Sequence, residues 1–244
     1  MKGWPKMKCS FLKIRRNEGA IRPLDVAAIV CVVGVLAFLF LFGATRSKEH
    51  ALRTQCQGNL QQIANALALY SKDNKDLLPD CTAANPRFAG SLWPWDMNTN
   101  LVSDLESKGV GRQMFYCPAN PTMNDDRHWN FWQQTHGSVS LIGYGMLFKG
   151  IGQVPRNLWR ASLTGDGQTP PEETELSFDA TACVDDDYLK IQGIWVDRSN
   201  HMHDKNPLGG NVLFEDQHVE WRDFKDMEVR FSTIGPGGPV RWNF

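Results

Sequence analysis

The chain has 244 residues, with 26 basic and 27 acidic side chains and a formal net charge of -1. That balance conceals an asymmetry. Seven basic residues (Lys2, Lys6, Lys8, Lys13, Arg15, Arg16, Arg22) and two acidic ones (Glu18, Asp25) precede Val26, so the remainder carries about -6 and has no electrostatic footprint for nucleic acid. The ~200 residues beyond the first ~45 suffice for one domain of moderate size.

Residues 1–25 read as a basic leader, and 26–45, VAAIVCVVGVLAFLFLFGAT, contain no charge. About 20 apolar residues at 1.5 Å each match a hydrocarbon core roughly 30 Å thick, so the segment is expected to be a transmembrane helix. Basic flanks before it predict a cytoplasmic N-terminus. A buried core helix fits poorly with a segment apolar on every face. A removable signal peptide fits poorly with Leu41-Phe42-Gly43-Ala44, where small residues are required for cleavage.

Residues 46–78 are expected to continue the helix in amphipathic form. Leu52, Cys56, Leu60, Ile63, Leu67 and Tyr70 follow the spacing of one apolar stripe, which needs a covering layer to be stable. From 79 to 244 the sequence is loop-rich, with short β segments predicted at Val139–Met146, Tyr188–Val196, Asn211–Phe214 and His218–Arg222. The last two flank Glu215-Asp216-Gln217, a hairpin signal. The expected fold class is α+β: a long N-terminal helix packed on a small antiparallel sheet, with 46–78 and 79–244 forming one domain. Trp93, Trp95, Trp129 and Trp132 serve either as loop packing, the preferred reading, or as stacking surfaces for sugars.

Four stretches carry a family resemblance: Cys56-Gln57-Gly58-Asn59-Leu60-Gln61-Gln62-Ile63 with Tyr70 to Asn74; Phe115-Tyr116-Cys117-Pro118-Ala119-Asn120-Pro121; Gly143-Tyr144-Gly145-Met146; and Ser199-Asn200-His201 with Gly209-Gly210-Asn211 through Asp216-Gln217-His218 to Trp221. In this order they resemble the type IV pilins and type II secretion pseudopilins, specifically the G-type group of planctomycetes and verrucomicrobia. The resemblance implies a non-enzymatic structural subunit of a secretion or pilus-like apparatus. It implies a single-pass inner-membrane location with a periplasmic domain, and partners among pilin-like subunits, assembly proteins and a prepilin peptidase. The processing motif departs from the family at Gly19, Ala20 and Asp25: the acid is sixth after Gly19, not fifth. The terminal hairpin departs too, with Gln217 where the family has glycine, which reaches positive φ freely. Asn200, His201, Gly209, Gly210, Asn211, Asp216 and His218 are assigned structural roles by the same resemblance.

Cys56, Cys81, Cys117 and Cys183 follow the apolar segment, and four cysteines allow three pairings. In an oxidising periplasm at least one disulfide is expected, with Cys81–Cys117 favoured because both lie in loop-like sequence. A zinc site is the competing use, although no Cys-x-x-Cys knuckle occurs. His201, His203 and His218 form the one constellation suggestive of metal-dependent hydrolysis. That alternative and a membrane-anchored glycan-binding module stand behind the structural-subunit reading, which expects no metal and no cofactor. Calcium on Asp185-Asp186-Asp187 is an option suggested by pseudopilins similar to this chain.

Overall fold

A computed structural model describes residues 23–131, 133, 138–165, 167–189, 191, 198–235 and 238–244. Gly19, Ala20 and the rest of the leader to residue 22 lie outside the described residues, as do Trp132 and most of the strand expected over Tyr188–Val196. Asp25 lies in the first helix, with its side chain outside the description.

Helix α1 runs from Pro23 to Asp73. It ends where the Asn74 side-chain amide donates to Tyr70 O (2.8 Å) and Lys75 and Asp76 take positive φ. The chain divides into two compact units, Met1–Arg46 and Ser47–Phe244. In the first, the helix exposes Leu24, Val26, Ile29, Val30, Val32, Val33, Val35, Leu36 and Phe38. Among the described residues, however, no helix is long and apolar enough to cross a membrane. This corrects the expectation of a transmembrane helix over 26–45. With it go the single-pass inner-membrane location and the membrane-based partners.

In the second unit, Cys56, Leu60, Ile63, Leu67 and Tyr70 are buried along one face of α1, as their spacing requires. The β structure is distributed over separate open sheets. A four-stranded antiparallel sheet has the order β3-β4-β8-β9, from Tyr144–Met146, Glu175–Asp179, Gly209–Phe214 and Val219–Asp223. A three-stranded sheet has the order β10-β11-β5, from Val229–Gly235, Gly238–Asn243 and Ala182–Cys183. Two-stranded pairs join β1 (Asp96–Asn98) to β2 (Val139–Leu141) and β6 (Met202–His203) to β7 (Asn206–Pro207). Short helices α2 (Thr99–Ser107) and α3 (Asp126–Trp129) lie between β1 and β2. The fold is therefore α+β, but the described strands form no pilin-like single sheet, and among the described residues no helix is long and apolar enough to span a bilayer. The difference arises because the polar, turn-rich sequence between strands breaks pairing into short ladders.

An aromatic nucleus holds the sheets. Phe178 stacks on Phe244 with centroids 4.0 Å apart, and Trp242 meets Trp95 edge-on at 4.5 Å. Trp93 stacks on Trp95 at 5.9 Å, and Trp129 packs on Phe115 at 5.8 Å. These three tryptophans are thus occupied in packing, the preferred reading, rather than in the alternative of sugar stacking. Gly145 is required because any Cβ there would enter the Phe178 ring. In the terminal hairpin Gln217 takes φ +76°, the left-handed conformation that favours glycine. On strand β10 the Gln153 side chain bonds both backbone groups of Ile234, accepting its N–H at 2.5 Å and donating to its carbonyl at 3.3 Å.

Asp96 ties the β1 entrance, accepting the N–H groups of Leu92 (3.0 Å) and Trp93 (2.9 Å). Burial outweighs those bonds and pushes its carboxyl up to about 6 from 3.8. A folded-state value above the unfolded one means that the native protein holds the extra proton between them, so stability declines as pH rises through that window and is flat above it. The full loss is about 3 kcal/mol. Asp96→Asn keeps an acceptor oxygen without the charge. Urea unfolding at about pH 4 and about pH 7 is expected to show the variant gaining on the wild type at the higher pH; parallel behaviour would contradict this account.

Candidate metal centre

Four segments distant in sequence converge on one buried point. Cys56 comes from the apolar stripe of α1. Cys117 follows a 3-10 turn, Arg112–Phe115, and is pressed against the β2–β3 connection: Gly143 N–H donates to Phe115 O at 2.8 Å, and a Cβ on Gly143 would stand 2.9 Å from Cys117 N. Asp179 ends β4, opposite Tyr144 in the β3–β4 register. His201 is brought to Asp179 because the loop before it is stitched to the β4–β5 connection. Asn200 N–H donates to Ala180 O (2.9 Å), Ala182 N–H to Ser199 Oγ (2.8 Å), and Ser199 Oγ to Ala182 O (2.6 Å).

One ligand atom from each of Cys56, Cys117, Asp179 and His201 lies within 4.8 Å of every other, and all four residues are buried. Cys56 Sγ is 3.1 and 3.2 Å from the two Asp179 oxygens, Cys117 Sγ is 3.3 Å from His201 Nε2, and that nitrogen is 3.4 Å from Asp179 Oδ2. Bonds of about 2.0–2.3 Å to a tetrahedral ion set ligand–ligand edges of roughly 3.2–3.8 Å. Three of the six ligand–ligand distances, Cys56–Asp179, Cys117–His201 and His201–Asp179, have about that scale, and all six lie within 4.8 Å.

Asp179, Cys56 and His201 each have an outer partner. The Asp179 carboxylate accepts from Asn200 Nδ2 (2.9 Å), Asn211 N–H (2.8 Å) and Asn211 Nδ2 (3.1 Å). Cys56 Sγ lies 3.4 Å from the Tyr144 hydroxyl, and His201 Nδ1 lies 3.1 Å from Glu49 Oε1. Gly210 allows this closeness, since a Cβ there would stand 2.8 Å from Asp179 Cβ. His201 itself has φ +47°, a conformation costing about 1–3 kcal/mol that persists only when its surroundings enforce it.

The electrostatics are those of anions packed around a cation. Burial alone would raise the Asp179 carboxyl, but the charge and bond of His201, the Asn211 N–H and Cys56 together hold it below its usual value. Burial opposes a charged His201, yet Asp179, Cys56 and Glu49 push the imidazole up to about 12. Burial, then Cys56 and Asp179, push the Cys117 thiol well above its usual value.

The residues expected from sequence fare unevenly. His201 is in the cluster, but His203 is exposed beside Asp204 and His218 is part-exposed, bonded to Asp216 at 2.5 Å, so the three-histidine site does not assemble. Cys81 and Cys117 are both free thiols. Asn200, Gly210 and Asn211 support Asp179, while Gly209 takes φ +150° where its strand crosses Trp221. Asp186 is held by Arg241, and Asp185 and Asp187 are exposed with it in a turn. The expectation of a non-enzymatic structural subunit is corrected by the tetrad, a buried group that could hold a metal ion. Sequence reasoning missed Asp179 and Glu49, and it read Cys56 as a packing thiol. No family model, curated protein or solved structure matches the chain, so the pseudopilin resemblance finds no support beyond its motifs.

Asp179 and His201 have no exposed side-chain surface. Asp179→Ala strands a buried charge and is expected to destabilise the protein by about 3–5 kcal/mol in urea unfolding of chelator-treated protein. Asp186→Ala, on an exposed pair, is expected to be near neutral. Equal effects would show that the cluster has no special energetic weight.

Proposed function

We propose that the unit Ser47–Phe244 is a metal-binding domain whose centre is a divalent ion, zinc by ligand type, held by Cys56 Sγ, Cys117 Sγ, the Asp179 carboxylate and His201 Nε2. The convergence of these four donor atoms within 4.8 Å in a fully buried setting carries the reading. Two sulfurs, one imidazole and one carboxylate suit zinc's borderline softness and its tetrahedral preference. Four protein donors close the coordination sphere, which is the arrangement of a metal that organises a fold. Here the ion would cross-link α1, the segment after the 3-10 turn, the end of β4 and the loop before β6, and its binding energy would contribute directly to folding.

A second reading, metal-assisted hydrolysis, draws on one observation. An open cavity of about 700 Å³ has Cys117 in its wall, together with Gln55, Asn59, Arg112 and Tyr116. A catalytic ion keeps one position for water, so this reading requires one of the four donors to yield. Cobalt(II) substitution separates the two: intense tetrahedral d–d bands unaffected by added anions favour the closed centre, and weak, anion-sensitive bands favour the open one.

Elemental analysis of the full chain, dialysed against zinc and then against buffer, is expected to find one zinc per chain. Cys117→Ser and His201→Ala should lose it, while His203→Ala and His218→Ala should keep it. Zinc should also raise the midpoint of thermal unfolding in the wild type alone among the first three. Absence of retained zinc in the wild type overturns the proposal.

A further inference from the structure

Among the outer partners of the cluster, Glu49 is the one that meets a ligand from the side open to solvent. Its Oε1 lies 3.1 Å from His201 Nδ1, with about a quarter of the Glu49 side chain exposed and none of the imidazole. Arg53 holds the same oxygen from one helical turn on, at 3.2 Å, and its guanidinium lies 3.9 Å over the Trp221 ring. Trp221 in turn meets the His201 ring edge-on at 5.0 Å. Glu49, Arg53 and Cys56 follow i, i+4, i+7 spacing, so one face of α1 delivers both a ligand and the group that faces another ligand's far nitrogen.

The imidazole has one free torsion that matters here, rotation of the ring about its bond to Cβ. With φ at +47° the backbone of His201 is already in a sparsely populated region, and the ring's direction is set by what grips its edges. Trp221 bounds one side, and Glu49 fixes Nδ1. A proton shared between Nδ1 and the carboxylate makes Nε2, which faces Cys117 and Asp179, the nitrogen that would give up its proton to a metal. That is the tautomer and the direction a metal ligand needs, and the carboxylate also increases the basicity of Nε2.

We infer that Glu49 is a positioning residue for this centre: through Nδ1 it selects the tautomer and the orientation in which His201 binds a divalent cation. The inference rests on the metal-binding reading above and extends it to a residue outside the coordination sphere. A purely structural role, as half of an exposed Glu49–Arg53 helix pair, makes a different prediction, since such a pair affects unfolding without affecting the ion.

The test uses the full chain with zinc and cobalt(II) as probes. Zinc affinity is measured by competition with a chromophoric chelator, and geometry by the cobalt d–d bands. Glu49→Ala is expected to weaken zinc binding about 10- to 100-fold and to shift the cobalt bands. Glu49→Gln, whose amide oxygen still accepts from Nδ1, is expected to recover most of the affinity. Unchanged affinity and unchanged bands in Glu49→Ala overturn the inference while leaving zinc binding intact. A wild type that takes up neither metal overturns the underlying reading instead. Should circular dichroism show that Glu49→Ala does not fold, Glu49→Asp decides, since its shorter side chain withdraws the carboxylate. Weakened binding supports the inference, and wild-type binding with wild-type bands overturns it.

Discussion

The carboxylate of Asp179 is the constraint around which the second unit is arranged. A buried anion is tolerated only when it is surrounded by donors, and supplying those donors draws in three separate parts of the chain. Asn200 and Asn211 donate to it, Cys56 approaches both oxygens, and His201 stands beside it. The side chain sits at the end of β4, the strand that also carries Phe178 into the aromatic nucleus. Polar centre and apolar core are therefore adjacent positions on one strand, facing opposite ways.

Close backbone approach makes this geometry attainable. Gly143 lets the 115–117 segment lie flush on the β2–β3 connection, and Gly210 lets β8 pass beside Asp179. His201 bears the opposite burden: its left-handed backbone is unfavourable alone and is enforced by the loop stitching of Ser199 and Asn200. Strain held in place by several independent bonds is a recurring property of sites that must present a side chain in a single direction.

The helical stripe of α1 was readable because its period is local: Cys56, Leu60, Ile63 and Leu67 fall on one face whatever surrounds them. The hairpin through Gln217 was readable for the same reason, and the turn keeps the positive φ that glycine would adopt freely. The centre was not. Its donors come one from each segment, at 56, 117, 179 and 201, so none of the close spacings that announce a zinc knuckle occurs. Cys56 looked like filler because it occupies an apolar position, and Asp179 lies outside every segment that the sequence singled out. His201 was marked, but the partners sought for it were other histidines, which the fold directs to the surface. The expected membrane span failed differently. Composition over 26–45 was the whole argument, and among the described residues the helix does not meet the length and hydropathy that crossing requires.

Gln153 has a consequence for how copies of this protein behave in concentrated solution. Strand β10 borders its sheet on one side only, and such a border offers a row of unsatisfied amides and carbonyls to any extended chain that drifts past. At Ile234, the most exposed large apolar residue of that strand, the Gln153 carboxamide imitates a peptide group and satisfies both partners from within the molecule. A neighbour seeking to add a strand there would first have to evict it. One side chain thus turns the stickiest point of an open border into a guarded one, against the stacking that seeds aggregates.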